Sequence, residues 1–180
     1  YHVNYVFNQD NKDKIFKEPS QALLKEGVKE KSLYMDGFST YISDDDFISP
    51  KTAITFSSWI APRVFENVFN YGDDTVCKGH TRLTSIFNQG DMEMNEGFTF
   101  GDGRLGLWGM QLNLHNPETD EDFFVGFYDP INALELYTWS FISATFDSKT
   151  GYVALAFNGK ISYETINEDL IGCTLIRSDE

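Results

Sequence analysis

Aromatic and amide side chains give this sequence its clearest capacity for chemistry, which is the binding of sugars. An exposed aromatic face can stack on a sugar ring, and nearby amides can hydrogen-bond to the sugar hydroxyls. The candidate carbohydrate-binding residues are Trp59, Tyr71, Trp108, Asn113 and Tyr128, with Gln111 close by in sequence. Trp108 also has an alternative interpretation as a buried residue, because it shares its alternation with Met110, Leu112 and Leu114.

Two short motifs resemble cofactor-binding or catalytic patterns, but their surroundings predict turns. The segment GDGRLG (residues 101–106) matches a dinucleotide-binding fingerprint, which requires a helix after it. The segment that follows, LWGMQLNL, alternates like a strand, so we predict a turn and a strand. The segment ETDED (residues 118–122) is close to the paired carboxylates of jelly-roll glucanases. Its interleaved residues, Thr119 and Glu121, are too polar to pack a core, so we predict an acidic loop without catalysis.

Nucleophile and metal motifs are missing from the sequence. It contains neither a G-x-S-x-G elbow nor an H-E-x-x-H zinc motif. The histidines are scattered, and His115, beside a turn, is interpreted as a surface or rim residue. Acidic groups at 44–46 and 73–74 could offer oxygen ligands to calcium. We predict instead that they form solvated loops, and that the chain has no metal site and no cofactor.

Strands must position these residues, because alternation with a period of two dominates the sequence. In TAITFSSWIAP (residues 52–62), Thr55, Ser57 and Trp59 fall on one side, and apolar residues fall on the other. About a dozen such runs are separated by Gly-Asp, Asn-Pro and acidic turns. The sequence therefore predicts an all-β sandwich or jelly roll.

Turn residues mark where the chain reverses, most clearly in YTWSFISATFDSKTGYVALAFNGKISY (residues 137–163). Asp147 can bond to its own backbone, and Gly151 can adopt a positive φ. Asn158–Gly159 is typical of a type I′ hairpin turn, so three antiparallel strands are predicted here. At the other end of the chain, a short helical turn is predicted between Pro19–Ser20 and Gly27.

Length and charge narrow the class of protein. A chain of 180 residues with 16% aromatic side chains suits one domain, residues 1–180, with a sizeable core. Its net charge of −14 repels nucleic-acid phosphates and anionic lipid, so we expect neither nucleic acid nor membrane as a partner. The pairing of Cys77 and Cys173 cannot be read from the sequence. Because the chain begins at Tyr1 without a methionine, we expect it to be a piece of a longer protein.

The order of several segments resembles a known domain family. The pattern W-x5-TFD-x3-G-x6-NGK (residues 139–160) is similar to the strand–turn–strand of laminin-G-like, concanavalin A-like jelly rolls. Other segments resemble further strands of that family and occur in the same order. They are SLYMDGFSTYI, AITFSSWIAPR, SIFNQGD, GFTFGDGRLGLW and a late LIG. The resemblance covers nearly the whole chain and implies a two-sheet antiparallel sandwich.

One stretch narrows the resemblance further. The segment DGFSTYI…ISPKTAITFSSWIAPRVFE is most similar to the module that precedes the catalytic propeller in some bacterial family 32 glycoside hydrolases. Those enzymes cleave sucrose and fructans. The propeller's NDPNG motif is not in this chain. The resemblance therefore implies a non-catalytic module that binds an oligo- or polysaccharide or braces an adjacent catalytic domain. The alternatives are a purely structural or protein-contact module and a jelly-roll hydrolase in its own right.

The resemblance also assigns individual positions. Trp139 matches the family's structural tryptophan and is expected in the core. Laminin-G calcium sites usually have an Asp shortly before this residue, and the nearest acidic residue here is Glu135, so calcium is an option and not a prediction. The termini are expected to be adjacent, with YHVNYVF and CTLIRS pairing or neighbouring each other. An extracellular or cell-surface location is expected over a cytoplasmic one.

Overall fold

Short antiparallel strands make up most of the chain wherever its structure is described. The computed structural model describes residues 15–16, 23–29, 31–35, 41–42, 47–48, 50–65, 83–89 and 96–176. Within these ranges there are thirteen strands, two short 3-10 turns (Arg104–Gly106 and Glu168–Leu170) and no α-helix. The strands are β1 (Ile15–Phe16), β2 (Leu23–Glu26), β3 (Lys31–Tyr34), β4 (Tyr41–Ile42), β5 (Ala53–Ile60), β6 (Thr84–Gln89), β7 (Phe98–Asp102), β8 (Trp108–Asn116), β9 (Glu121–Tyr128), β10 (Ser140–Asp147), β11 (Tyr152–Phe157), β12 (Lys160–Ile166) and β13 (Thr174–Leu175). The predicted all-β class is confirmed.

The chain divides into two compact units, residues 1–48 and residues 49–180. In the first unit, β1 pairs with β4 and β2 pairs with β3, both antiparallel. The Lys25 ammonium lies 4.3 Å from the centre of the Tyr34 ring across the β2–β3 pair, a cation–π contact. The helical turn predicted between Pro19 and Gly27 is wrong, because Leu23–Glu26 is extended and pairs with β3.

The second unit contains a four-stranded sheet in the order β12-β11-β10-β5. The predicted turn chemistry is confirmed. The Asp147 carboxylate accepts hydrogen bonds from the Lys149 N–H (2.9 Å) and the Thr150 hydroxyl (3.2 Å). Asn158 and Gly159 have positive φ angles of 49° and 81°, as a type I′ turn requires. Turn residues therefore fix the register of this sheet.

The second unit also contains a five-stranded sheet. In it β6 pairs with β7 and β7 with β8, while β8 also pairs with β9 along its length and with β13 at its C-terminal end. A strand follows GDGRLG, as predicted, and no helix does. The acidic loop is shorter than predicted, because β9 already begins at Glu121 and pairs there with Asn116.

The core of the second unit lies between its two sheets. The Phe56 ring of β5 lies 5.0, 4.9 and 5.6 Å from the rings of Phe87, Phe98 and Phe100 in the five-stranded sheet. Further along, Trp108 contacts Phe157. On β5, Ile54 and Phe56 are buried while Thr55, Ser57 and Trp59 are exposed, as the alternation predicts. The four-stranded sheet therefore turns one face to the core and the other away from it, whereas β7 and most of β8 are buried on both faces.

Among the residues whose structure is described, none forms a helix with the length and apolar character needed to cross a bilayer.

Candidate functional site

The candidate site is centred on Trp59, which lies near the C-terminal end of β5 on the face that points away from the core. Its side chain is 49% exposed. Trp59 pairs directly with Phe141 of β10, and the two ring centres are 5.4 Å apart. Because the rings are adjacent on one sheet face, they form a continuous aromatic surface of a size that can stack on a sugar ring.

Short polar residues continue this face away from the rings. Thr55 and Thr145 are cross-strand partners, and their hydroxyl oxygens are 3.1 Å apart. Ser57 pairs with Ser143, whose hydroxyl donates to the Phe56 carbonyl at 2.9 Å. The next strand contributes only alanines opposite these positions, Ala154 and Ala156. The side chains beside the rings are therefore short, and several of them carry hydroxyl groups.

Trp139 extends the aromatic surface beyond the end of β10. Continuing the β5–β10 register places it opposite Ala61, on the same side as Phe141. Its side chain is 37% exposed, so the expectation that Trp139 lies in the core is wrong. The alternation of β10 puts it on the outer side, because the buried residues of this strand are the even-numbered ones. We call Trp59, Trp139 and Phe141 the aromatic face.

The loop before Trp139 presents another ring under backbone strain. Tyr137 has a φ of 60°, a left-handed conformation that is unfavourable for a bulky side chain. Its N–H donates to the Pro62 carbonyl at 2.6 Å, and the Arg63 guanidinium lies 5.5 Å from its ring centre. These contacts hold an exposed tyrosine at the same end of the sheet as Trp59.

Trp108, in contrast, cannot serve as a binding surface. It is fully buried between the sheets, where its ring contacts Phe100 edge-on and Phe157. Its indole nitrogen is also buried, with no hydrogen-bond partner within the described residues. A sugar needs an open ring face, so the prediction of Trp108 as a carbohydrate-binding residue is corrected in favour of the buried alternative.

Tyr128 and Asn113 lie on the outer side of the other sheet, far from the aromatic face. The Tyr128 ring folds back over Gly126, and its hydroxyl accepts from the Gln111 amide at 2.7 Å. Burial raises the pKa of Tyr128, and the hydrogen bond from Gln111 opposes that shift. Asn113 is buried and donates to the Glu96 carbonyl at 2.9 Å. Since Phe56 and Phe98 join the inner faces, the two outer faces point in opposite directions.

The structure therefore does not bring the predicted residues together. Tyr71 lies outside the described residues, Trp59 stands on one outer face, and Tyr128 and Asn113 belong to the other. The sequence prediction missed Phe141, Trp139 and Tyr137. The signal that would have found the first two is the alternation of β10, because Phe141 shares its outer face with Ser143 and Thr145.

The acidic segment lines an open cleft at the β8–β9 end. The cleft has a volume of about 570 Å³ and is lined by Glu121, Asp122 and Asp169, among others. His115 is partly exposed, and its Nδ1 lies 2.8 Å from the carboxylate of Asp122, a residue that lines the cleft. A jelly-roll hydrolase would require paired carboxylates in a cleft, so this is where that alternative would be tested.

Among the described residues, no group of three His, Cys, Asp or Glu side chains could hold a metal ion. The acidic groups at 44–46 and 73–74, as well as Cys77, lie outside these residues. Glu135 is exposed in the loop before β10. Cys173 is a buried free thiol whose Sγ donates to the Asp169 carbonyl at 3.3 Å.

No family model matches this sequence, and neither the curated proteins nor the solved structures include a significant match to it.

Proposed function

We propose that this chain is a non-catalytic, jelly-roll accessory module that binds a neutral glycan on the aromatic face. One observation carries the proposal. Trp59 is half-exposed and lies against Phe141 on an outer sheet face whose neighbouring residues are short and hydroxylated. Aromatic rings with hydrogen-bonding groups beside them are what sugar recognition requires, because one face of a sugar ring is apolar and its edges are hydroxylated.

The jelly-roll part of the proposal is supported by the packing of the second unit. Two antiparallel sheets contact each other through Phe56, Trp108 and Phe157, as they would in a sandwich. This arrangement agrees with the resemblance to laminin-G-like modules, which implies a parent enzyme of the type that cleaves sucrose and fructans. The resemblance supplies the candidate ligands, levan and inulin.

The net charge supports a neutral ligand, and backbone strain supports a binding role for this end of the sheet. With a net charge of −14, the protein would repel acidic polysaccharides more than neutral ones. Backbone strain of the kind seen at Tyr137 costs about 1–3 kcal/mol and is concentrated at functional sites. Holding an exposed ring in that conformation beside Trp139 is consistent with a role in binding.

The test is calorimetric titration of the protein with levan and inulin. Trp59→Ala should weaken binding about tenfold or more, because central aromatic residues dominate interface energies. The matched control is Ile166→Ala, which removes an exposed apolar side chain at the far end of the sheet, on β12. Binding that Trp59→Ala leaves unchanged would overturn the proposal for the aromatic face.

A protein-contact module is the second candidate, and one observation favours it. Exposed apolar side chains cluster around the same end of the sheet, at Trp59, Val64, Leu136, Tyr137 and Trp139. Such a cluster could equally brace a neighbouring domain. The two candidates differ in the titration, since a bracing module should give no heat with any glycan.

A further inference from the structure

A cavity lies at the rim of the second unit, next to the aromatic face but on the inner side of β10. It has a volume of about 350 Å³ and opens between the loop that precedes β10 and the β11–β12 turn. We call it the rim cavity, and its polar lining consists of Asn132, Glu135, Thr138, Ser140 and Asn158. Its volume is within the range of small-molecule sites.

Ser140 supplies a hydroxyl group to the rim cavity. Its side chain is only 3% exposed, at the first inward position of β10. No hydrogen bond to its hydroxyl is present among the described residues, yet the residue lines the cavity. The Ser140 oxygen is itself reached by solvent, because it is not one of the buried polar atoms that lack a partner. A ligand hydroxyl in the cavity would therefore replace water as its partner.

Two asparagines that line the cavity have complementary groups to offer a ligand. The Asn158 side-chain oxygen accepts from the Phe141 N–H at 2.8 Å, which leaves its amide NH2 to donate. The Asn132 NH2 donates to both Asp129 oxygens, at 3.3 and 3.1 Å, which leaves its oxygen to accept. Together with the Ser140 hydroxyl, the cavity thus offers both donors and acceptors.

The cavity wall is held in place before any ligand arrives. The Asp129 carboxylate accepts from the Ile131 N–H at 2.8 Å, the Asn132 N–H at 2.9 Å and the Ser162 hydroxyl at 2.5 Å. Leu134 is buried, and its N–H donates to the Gly106 carbonyl at 2.8 Å. A pre-formed wall lowers the entropy cost of binding.

The lining also restricts the charge of the ligand. The only ionisable group among the described residues that line the cavity is the Glu135 carboxylate, and no Lys or Arg is present there. An anionic ligand would be repelled, and a single carboxylate is too few oxygen ligands for a hard cation. The Phe157 ring adds an apolar surface. These groups match a neutral, polyhydroxylated ring.

We propose that the rim cavity binds one neutral sugar unit, separately from the aromatic face. The ligand class rests on the proposed function, whereas the site does not, because Trp59 takes no part in it. Ser140 and the two amides would hydrogen-bond to ring hydroxyls, and Phe157 would contact the ring carbons.

The experiment is an amide-resolved NMR titration of the whole chain with sucrose, D-fructose and D-glucose, and with D-glucuronate as the anionic probe. At least one neutral sugar should shift the amide signals of Asn132, Ser140 and Asn158. Ser140→Ala should weaken that binding about 3- to 10-fold, as expected for one hydrogen bond. Glucuronate should bind more weakly, and Glu135→Gln should reduce the difference.

A filled cavity supplies the matched control. Ala133→Phe adds a ring at an exposed position that lines the rim cavity, and it should abolish the shifts. Ala53→Phe adds the same ring to an exposed alanine at the other end of β5, and it should leave them intact. Shifts that survive Ala133→Phe, or no shifts with any neutral probe, would overturn the inference.

The two proposals fail separately. If Trp59→Ala weakens levan or inulin binding but no sugar reaches the cavity amides, the rim site is wrong and the proposed function stands. If sugars shift the cavity amides while Trp59→Ala changes nothing, the rim site stands and the aromatic face is wrong.

Discussion

Asp129 shows how a single buried carboxylate can organise a loop. It is only 4% exposed, and Ser162 and the backbone of residues 131–132 donate to it. Burial alone would raise the pKa of Asp129. The hydrogen bonds from Ser162, Asn132 and Ile131 outweigh it, so the pKa of this carboxyl lies below its ordinary value. The charged form is therefore the one that stabilises the fold.

We expect Asp129→Ala to lower the free energy of unfolding by about 2–3 kcal/mol at neutral pH, because buried donors lose a charged acceptor. Since the folded-state pKa is depressed, the stabilisation is present above the ordinary value of 3.8 and is lost as the pH falls through the folded-state value. Urea denaturation at several pH values checks both points. The exposed Glu121→Ala should have little effect, and a difference between wild type and Asp129→Ala that grows in acid would contradict this account.

Cys173 should be chemically inert in the folded protein. It is fully buried, and burial, followed by the nearby carboxylates of Glu118 and Asp169, raises the pKa of its thiol. Alkylation requires an accessible thiolate, so iodoacetamide should modify Cys173 much more slowly in buffer than in urea. Peptide mass mapping separates this residue from Cys77. Equal rates in the two conditions would show that the thiol is reachable in the native state.

At the scale of elements, two glycines of the β10–β12 meander make a matched pair. Both have positive φ, 67° at Gly151 and 81° at Gly159. A Cβ added at Gly151 would lie 2.2 Å from the Asn167 carbonyl oxygen, whereas a Cβ at Gly159 would meet nothing within 4 Å. Replacing either glycine therefore carries the same cost of a left-handed backbone, and only replacement of Gly151 adds a steric clash.

Gly159→Ala should therefore cost about 1–2 kcal/mol of stability, the usual penalty for a left-handed alanine. Gly151→Ala should cost about 1–3 kcal/mol more, because the added methyl group overpacks the turn. Thermal unfolding midpoints of the two variants give the comparison directly. Equal losses would mean that the chain near Asn167 moves aside without cost.

The sequence predicts these elements well wherever a residue's own chemistry decides the outcome. Asn158–Gly159 and Asp147 fix their turns locally, and the alternation of β5 separates Phe56 from Trp59. The prediction for Trp139 is wrong because it relied on the family position, which is in the core, whereas the alternation of β10 places Trp139 on the outer side. The helical turn predicted before Gly27 is wrong because pairing with β3 overrides weak local helix signals.

The rim cavity could not have been predicted in the same way. Its lining combines the 131–138 loop with the ends of β10 and β11, and only tertiary packing brings these together. Ser140 and Asn132 have no distinctive spacing in the sequence. The local signal is Asp129, whose carboxylate accepts from the backbone N–H groups two and three residues further on, as turn-forming aspartates do.

At the scale of the whole molecule, Phe56 joins the two sheets of the second unit. Its ring meets three phenylalanine rings of the opposite sheet. Phe56→Ala should lower the free energy of unfolding by about 3–5 kcal/mol, because it leaves a cavity at the contact between sheets. Thr55→Ala, on the outer face of the same strand, is the control and should cost about 1 kcal/mol or less. Similar losses in chemical denaturation would place the core elsewhere.

Because the three tryptophans lie in different environments, their intrinsic fluorescence reports on the core and on the outer sheet face separately. Trp108 is sealed between the sheets, whereas Trp59 and Trp139 meet solvent. Acrylamide should quench the emission of the outer pair and spare the blue-shifted emission of Trp108. A polysaccharide that covers the outer pair should shield it from the quencher, so ligand occupancy and core integrity can be followed in one cuvette, without any attached label.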